Sequence, residues 1–256
     1  MLVSNRKLAK NLEALGVSPG DTIFVHVDAA VCSQYYDGSI QKKVLLFIEE
    51  IVEFLGPEGT LLVPTFSYGF TKGIAFDRTS TKSEIGMFSS IALEEYGELR
   101  TGHPVFSALA FGRHASQFRG LPLNDCFGSD TIFGLMFELD AKVLTLGCPF
   151  KITFTHYVEQ IFGVRYRFFK YFEGSITSAG VEVPHSLRYF VGDPGFQYRF
   201  VSEPLVDELK RSELISIEPF GRFAAHCISS QRFTDRVIEL LKEDEFFLIE
   251  EGHRSI

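Results

Sequence analysis

No CxxC pair occurs in this 256-residue chain; Cys32, Cys126, Cys148 and Cys227 stand far apart. That spacing argues against a disulfide framework or a zinc cluster and leaves buried thiols as the default. Tryptophan is absent although there are 27 Phe, a bias with no functional reading. No apolar run approaches the roughly 20 residues that span a bilayer. Residues 1–11 intersperse Arg6, Lys7 and Lys10 with polar residues and lack the apolar core of a signal peptide, so a cytoplasmic protein without membrane association is expected. There is no GxGxxG after the first strand and no GxxxxGK[ST] anywhere, which removes the Rossmann and P-loop readings. HExxH and HxH are missing and the seven His are scattered, so no metal is expected. A GxSxG elbow is missing too. The formal net charge of -8 argues against nucleic acid as the partner and is compatible with a cationic or amine-bearing ligand.

What is present is an alternation of helical and strand-like segments. Leu8, Leu12 and Leu15 recur at helical spacing within residues 5–15, and Gly16 ends the run. Strands are expected over 22–28, 60–66, 108–112 and 142–146, and helices over 40–55, 83–96 and 131–139. A further helix should begin near His156. Residues 29–36 and 68–82 read as loops, and loops as long as the second are usually functional or disordered. Beyond Phe162, residues 164–176 are aromatic and basic, and 181–191 alternate, so the pair should form an antiparallel β-ribbon. Helices over 201–209 and 235–242 flank a strand-like stretch at 216–223. The fold class is therefore α/β: a layered α/β/α core with a central mixed or mostly parallel sheet, plus an antiparallel β-ribbon in the C-terminal half. A single domain over 1–256 is expected, with its core at about 1–163 and a β-rich lobe with C-terminal helices at about 164–256.

The chemistry centres on Leu146-Gly147-Cys148-Pro149-Phe150-Lys151-Ile152-Thr153-Phe154-Thr155-His156-Tyr157-Val158-Glu159. Thr153 or Thr155 could cap the helix that starts near His156. His156 would then stand just outside the carboxyl end of a strand, where open α/β sheets place ligands. Glu159, three residues on, shares its helix face. Imidazole beside carboxylate is the pairing that general base catalysis near neutral pH requires, although a helix N-terminal His bonded to its neighbours would look the same. Cys148 could pair with His156 as a nucleophile, but a cysteine at a strand end is more often simply buried. Asp77 sits in a Thr/Ser-rich loop and could equally close an Asx-turn. His103 precedes a proline and could serve only to bind loop backbone.

Taken in order, the segments resemble the aminoglycoside 3-N-acetyltransferases, coenzyme-A-dependent enzymes that acetylate a sugar amine. The resemblance runs from about Leu15 to Arg167. It rests on Leu15-Gly16-Val17-Ser18-Pro19-Gly20-Asp21-Thr22 with Val25-His26, and on Gly56-Pro57-Glu58-Gly59-Thr60-Leu61 with Pro64-Thr65-Phe66. Phe76-Asp77, Arg100-Thr101-Gly102-His103-Pro104 with Ser107, and Phe127-Gly128-Ser129 with Phe133-Gly134 extend it, and Leu146-Gly147 with Thr155-His156-Tyr157-Val158-Glu159 completes it. The resemblance implies His156 as the catalytic histidine, Asp77 as a nearby acid, and Glu159 as the acid one turn on. It implies that coenzyme A lies against the loop after the first strand and the segments near Ser107 and Ser129, making His26, Asp28, Ser33, His103, Ser107 and Ser129 the cofactor-binding candidates. Two departures stand out: Phe106 where many relatives have a second His, and Val27-Asp28-Ala29-Ala30 in place of a Ser-Ser-Leu.

The implied reaction is direct attack of an amine on acetyl-CoA or another short acyl-CoA, with His156 as base and backbone N–H groups near Ser33 or Ser107 as oxyanion donors. Two acceptors compete. An aminoglycoside would want carboxylates such as Glu84, Asp77 and Glu159; a nucleotide-linked amino sugar would want Arg165, Arg167 or Lys170 at its pyrophosphate. The basic run beside the helix and the two departures tilt the expectation to the biosynthetic amino sugar, with the antibiotic as the alternative. A catalytically inactive acyl-CoA-binding relative is a third reading, against which the retention of His156, Asp77 and Glu159 counts. The partners expected are acyl-CoA and an amino sugar, with a homodimer allowed.

Overall fold

The computed structural model describes residues 6–178, 180–196 and 198–251. Residues 1–5, including Asn5 of the first expected helix, lie outside that range. A six-stranded sheet runs through the middle in the order β4-β2-β1-β5-β10-β9. Its strands are β1 (Thr22–Val27), β2 (Thr60–Pro64), β4 (Ala108–Gly112), β5 (Lys142–Leu146), β9 (Ser216–Phe220) and β10 (Phe223–Ser229). The central three, β2, β1 and β5, are parallel, whereas β4 and β10 join them antiparallel and β9 pairs antiparallel with β10. The sheet is thus mixed.

Both faces are covered, which is why the central strands read as nearly continuous apolar runs. On one side Ile23 and Val25 of β1 meet α1 (Arg6–Ala14) and α2 (Ile40–Leu55) through Leu8, Leu12, Phe47 and Ile51. On the other, Phe24 joins the cluster built by α5 (Ile132–Glu138), α6 (Thr155–Phe162) and α8 (Ser230–Glu243). Each helix starts for a local reason. Ser39 caps α2 by accepting from Lys42 N, and Ser229 does the same for α8 with Arg232 N.

A second, three-stranded sheet holds β3 (Phe76–Asp77), β6 (Arg167–Ser178) and β7 (Val181–Gly192), with β6 and β7 forming the expected ribbon in register from Arg167↔Gly192 to Ser178↔Val181. The stretch expected as one strand at 216–223 is a hairpin instead, turning at Gly221. Its second strand, β10, completes the central sheet beside β5, so strands from both halves of the chain build the core. Three short elements had no sequence signal: α4 (Ala115–Arg119), and β8 (Tyr198–Phe200) paired with β11 (Ile249–Glu251). Between β8 and β9 lies α7 (Glu203–Arg211), and α3 (Met87–Tyr96) begins later than expected, after Gly86.

The largest fully buried side chain among the described residues is Arg100, whose hydrogen bonds go to uncharged acceptors. It ties the long loop to the sheet by donating to Thr81 O (2.5 Å), Thr65 O (2.8 Å) and Ser107 Oγ (3.0 Å). The Phe76 ring lies 5.0 Å from its guanidinium. Arg100→Lys keeps the charge but loses the fork, leaving buried carbonyls without donors. We expect it to cost about 3 kcal/mol in urea unfolding and to speed proteolysis within 78–82.

Candidate active site

Helix α6 starts where the chain leaves β5. Gly147 makes that exit possible, with φ +73 and Val31 so close that a Cβ there would lie 2.6 Å from Val31 Cγ2. Neither Thr153 nor Thr155 caps the helix: Phe154 occupies the cap position and makes no side-chain cap. His156 is therefore the second helical residue, partly exposed, with its ring 5.4 Å from that of Phe127 and 6.5 Å from that of Phe200.

Its Nδ1 lies 2.6 Å from Glu159 Oε2. Glu159 is completely buried, and three groups surround its carboxylate. Tyr166 donates its hydroxyl to Oε1 at 2.8 Å, and Arg167 Nε stands 2.9 Å from Oε2 as an ion pair whose N–H is not aimed well enough for a hydrogen bond. Burial alone would raise this carboxyl, but the hydrogen bond from His156 and the charge of that ring when it is protonated, then Arg167 and Tyr166, outweigh it and hold Glu159 below the usual carboxylate range. Arg167 Nη2 also lies 2.9 Å from His156 Nδ1. A carboxylate only accepts and a guanidinium only donates, so Nδ1 cannot serve both. We assign the Nδ1 proton to Glu159, with Arg167 alongside as a charge anchored by its bond to Phe190 O (3.1 Å). This tautomer leaves the Nε2 lone pair free, and Nε2 has no partner among the described residues.

Why Tyr166 and Arg167 return to Glu159 is a matter of one turn. Gly163, at φ +83, ends α6 in the left-handed conformation, and its N–H closes on Glu159 O. The chain then reverses and starts β6 against the helix it has just left. Sequence reasoning found Arg167 but gave it to the substrate, and it missed Tyr166. The i,i+3 spacing to Glu159 is visible in a sequence; a partner reached through a reversal is not.

The other candidates divide into two groups. His26, Asp28 and Ser33 line a cavity of about 740 Å³ at the carboxyl ends of β1 and β2. Cys148, Pro149 and Lys151 form another wall, and Ile85, Gly86 and Met87 a third. Glu84, adjacent to that third wall, accepts from Tyr68 N at 2.7 Å.

The second group is structural. Asp77 accepts from Thr79 N, Thr79 Oγ1 and Ser80 N, closing a turn, and the Thr79 bonds hold its carboxyl below the ordinary value. It pairs with Thr177 at the far end of β6, whereas Arg167 at the near end meets His156. That separation is on the order of 30 Å at the rise of a strand, so Asp77 is not an acid beside His156. Ser107 is fully buried and bonded to Thr65 and Arg100, out of reach of a ligand. His103 accepts from Val105 N and Phe106 N through Nδ1 and donates from Nε2 to Asp125 O, so both ring nitrogens are taken by backbone. Ser129 bonds Asp130 on an exposed loop and is not among the residues lining the cavity. Arg165 pairs with Glu245 at 2.6 Å on the surface. Phe106 sits in a ring cluster, 4.9 Å from Phe127 and 5.0 Å from Phe66. Cys148 donates its thiol to His26 O at 3.4 Å, makes no contact with His156, and is pushed up to about 11 by burial.

The sequence profile of the aminoglycoside 3-N-acetyltransferases matches residues 32–242. The chain belongs to that family. It is a coenzyme-A-dependent N-acetyltransferase, with acetyl-CoA as its donor, and no group of residues able to hold a metal occurs among the described residues. It is 25% identical over 229 residues to aminoglycoside N(3)-acetyltransferase VIII of Streptomyces fradiae, covering 80% of this chain and 77% of that one. The apoenzyme structure of AAC(3)-IVa superposes with a TM-score of 0.75 at 25% identity, over 98% of this chain and 93% of that chain. A histidine-to-alanine variant of the same relative, in complex with a gentamicin, gives 0.70 at 25% identity over 95% and 90%. The coenzyme A complex of AAC-IIIb shares the fold, with a TM-score of 0.76 at 20% identity over 99% of both chains. No helix of the described residues is long and apolar enough to cross a membrane.

Two outcomes follow from these environments. Glu159→Gln keeps the shape but cannot hold the Nδ1 proton as a carboxylate does, so kcat should drop about 100-fold or more with the fold intact by circular dichroism. Burial lowers His26 and His103 to about 4. The unfolded chain then binds more protons between about pH 4 and 6.5, so stability must fall as pH drops through that window. Urea midpoints should show a loss of about 2 kcal/mol per ring between pH 7 and 5, and His103→Gln should remove one share of it.

Proposed function

We propose that the chain acetylates an amine of an aminoglycoside, with His156 as general base and acetyl-CoA lying in the cavity beside β1. The observation that carries this reading is the locked His156–Glu159 pair. Its Nδ1 edge is held by a buried carboxylate, and its Nε2 edge has no partner among the described residues.

An acceptor ammonium must lose a proton to attack, and Nε2 is the lone pair offered to take it. Glu159 orients the ring and balances the imidazolium that forms, while Tyr166 and Arg167 keep that carboxylate ionised and in place. The thioester supplies an electrophilic carbon and a thiolate leaving group. No protein nucleophile is needed: the Cys148 thiol is far too basic and is turned to a backbone carbonyl.

Local charge offers little to the pyrophosphate of a nucleotide-linked amino sugar. Both arginines that would meet a pyrophosphate are engaged elsewhere, Arg165 by Glu245 and Arg167 by Glu159, and Arg188 nearby is paired with Asp125. The names of the relatives point the same way.

Steady-state assays with several aminoglycosides and with a uridine-diphosphate amino sugar test the reading. Acetylation of aminoglycosides is expected, with kcat lowered about 10²–10⁴-fold in His156→Ala while coenzyme A still binds. Arg165→Ala should leave the acceptor KM unchanged. Turnover of the sugar nucleotide alone, weakened by Arg165→Ala, would reverse the assignment. Cys148→Ala should keep its activity, and acetyl-CoA alone should leave no acyl-protein by mass spectrometry.

A further inference from the structure

A second carboxylate meets α6 one turn beyond His156. Asp125 is buried, and its side chain gathers groups from three parts of the chain. Gln160 Nε2 donates to Oδ2 at 3.2 Å, Phe127 N donates to Oδ1 at 3.3 Å, and Arg188 of β7 completes the set as an ion pair. The backbone around it is fixed as well. Arg188 N donates to Asn124 O at 2.8 Å and Cys126 N to Arg188 O at 3.0 Å, so residues 124–126 lie along the ribbon. His103 Nε2 donates to Asp125 O at 3.0 Å. The carboxylate fills its niche so closely that Oδ2 leaves no room for a Cβ on Gly128.

Two routes lead from this carboxylate to His156. The first is Gln160, four residues on and on the same face of α6. Its Oε1 is sealed from solvent and has no hydrogen-bond partner, which in a folded protein calls for an explanation. Turning the amide over would set that oxygen against the carboxylate, so Asp125 dictates the orientation and the orphan acceptor is its consequence. The second route is Phe127, whose ring stands edge-on to the imidazole at 61°, with 5.4 Å between centroids. Phe127 is itself wedged by Phe106 at 4.9 Å and Phe133 at 5.4 Å. The bond to Glu159 fixes one atom of the His156 ring, Nδ1, and leaves the ring plane free to tilt about it. Contact with Phe127 limits that tilt, and with it the direction of the Nε2 lone pair.

We propose that Asp125 is a positioning residue for His156, holding the helix through Gln160 and the ring plane through Phe127. Glu159 sets the tautomer, and Asp125 sets where Nε2 points. A displacement of about 1 Å at a reacting atom can cost on the order of 10²-fold in rate, so a partial loosening should be plain in kcat. This inference rests on the reading of His156 as general base, and the test separates the two.

Acetylation kinetics and acetyl-CoA binding by calorimetry would be measured for Asp125→Asn, Gln160→Leu, His156→Ala, and each of the first two combined with His156→Ala. Asp125→Asn keeps the size but turns an NH2 on one of its donors. Gln160→Leu cuts the link to the helix and leaves Asp125 with Arg188. Each should lower kcat about tenfold, with the acetyl-CoA Kd within about twofold of wild type. In the His156→Ala background neither should lower kcat further, because an absent ring cannot be misdirected. An equal drop in both backgrounds would show that Asp125 only supports the fold, and would overturn the proposal. Wild-type kcat in Gln160→Leu would overturn it too, whether or not Asp125→Asn folds. Neither result touches the base reading, which stands as long as His156→Ala itself loses turnover. Near-wild-type turnover in His156→Ala would defeat that reading and the proposal together.

Discussion

One buried carboxylate organises the functional half of this molecule. Glu159 has no solvent of its own, and an ion taken out of water is tolerated only when charges and donors replace that water. His156, Arg167 and Tyr166 are those replacements, and they come from two elements joined by a single reversal at Gly163. The requirement to satisfy Glu159 thus fixes the imidazole tautomer, the starting point of β6 and the angle at which the hairpin leaves α6. The same pattern, a polar group held by groups from elsewhere in the chain, recurs at Arg100 and Asp125.

The cavity and the proposed base are mounted differently. The cavity takes its walls from the turn after β1, the segment before α3 and the start of the β5–α6 connection. His156 rides on the helix at the end of that same connection. Cys148 to Lys151 and His156 therefore belong to one short covalent path, and their relative placement is set by a few backbone torsions. Burial of Phe150, Ile152 and Phe154 along the path pins those torsions to the core.

Much of this was legible in the sequence, for reasons that differ by element. Parallel strands buried on both faces announce themselves as apolar runs, and the amphipathic helix at 40–55 is equally plain. His156 with Glu159 was legible because helical spacing is local. What failed was everything that depends on a distant partner. Ser107 and His103 look like ligands in a sequence, yet buried Arg100 and the carbonyl of Asp125 claim them. Arg165 and Arg167 look alike, but Glu245 holds one at the surface and Glu159 holds the other inside. Asp77 was the clearest error: its turn was readable from Thr79 and Ser80, and its distance from His156 depends on the register of β3 with β6, which no local pattern encodes.

The place of β10 bears on how the molecule is assembled during synthesis. Strand β5 has β1 on one edge, but its other edge is covered only by residues 223–229. Roughly nine-tenths of the chain must therefore leave the ribosome before the strand that leads to His156 has both neighbours. Until then a hydrogen-bonding edge lies open at the centre of the sheet, the kind of surface that recruits other chains. Pairings this far apart in sequence form slowly because loop closure comes first. The sheet that leads to His156 is consequently among the last parts of the protein to be finished, and a chain released early keeps its recognisable motifs without that support.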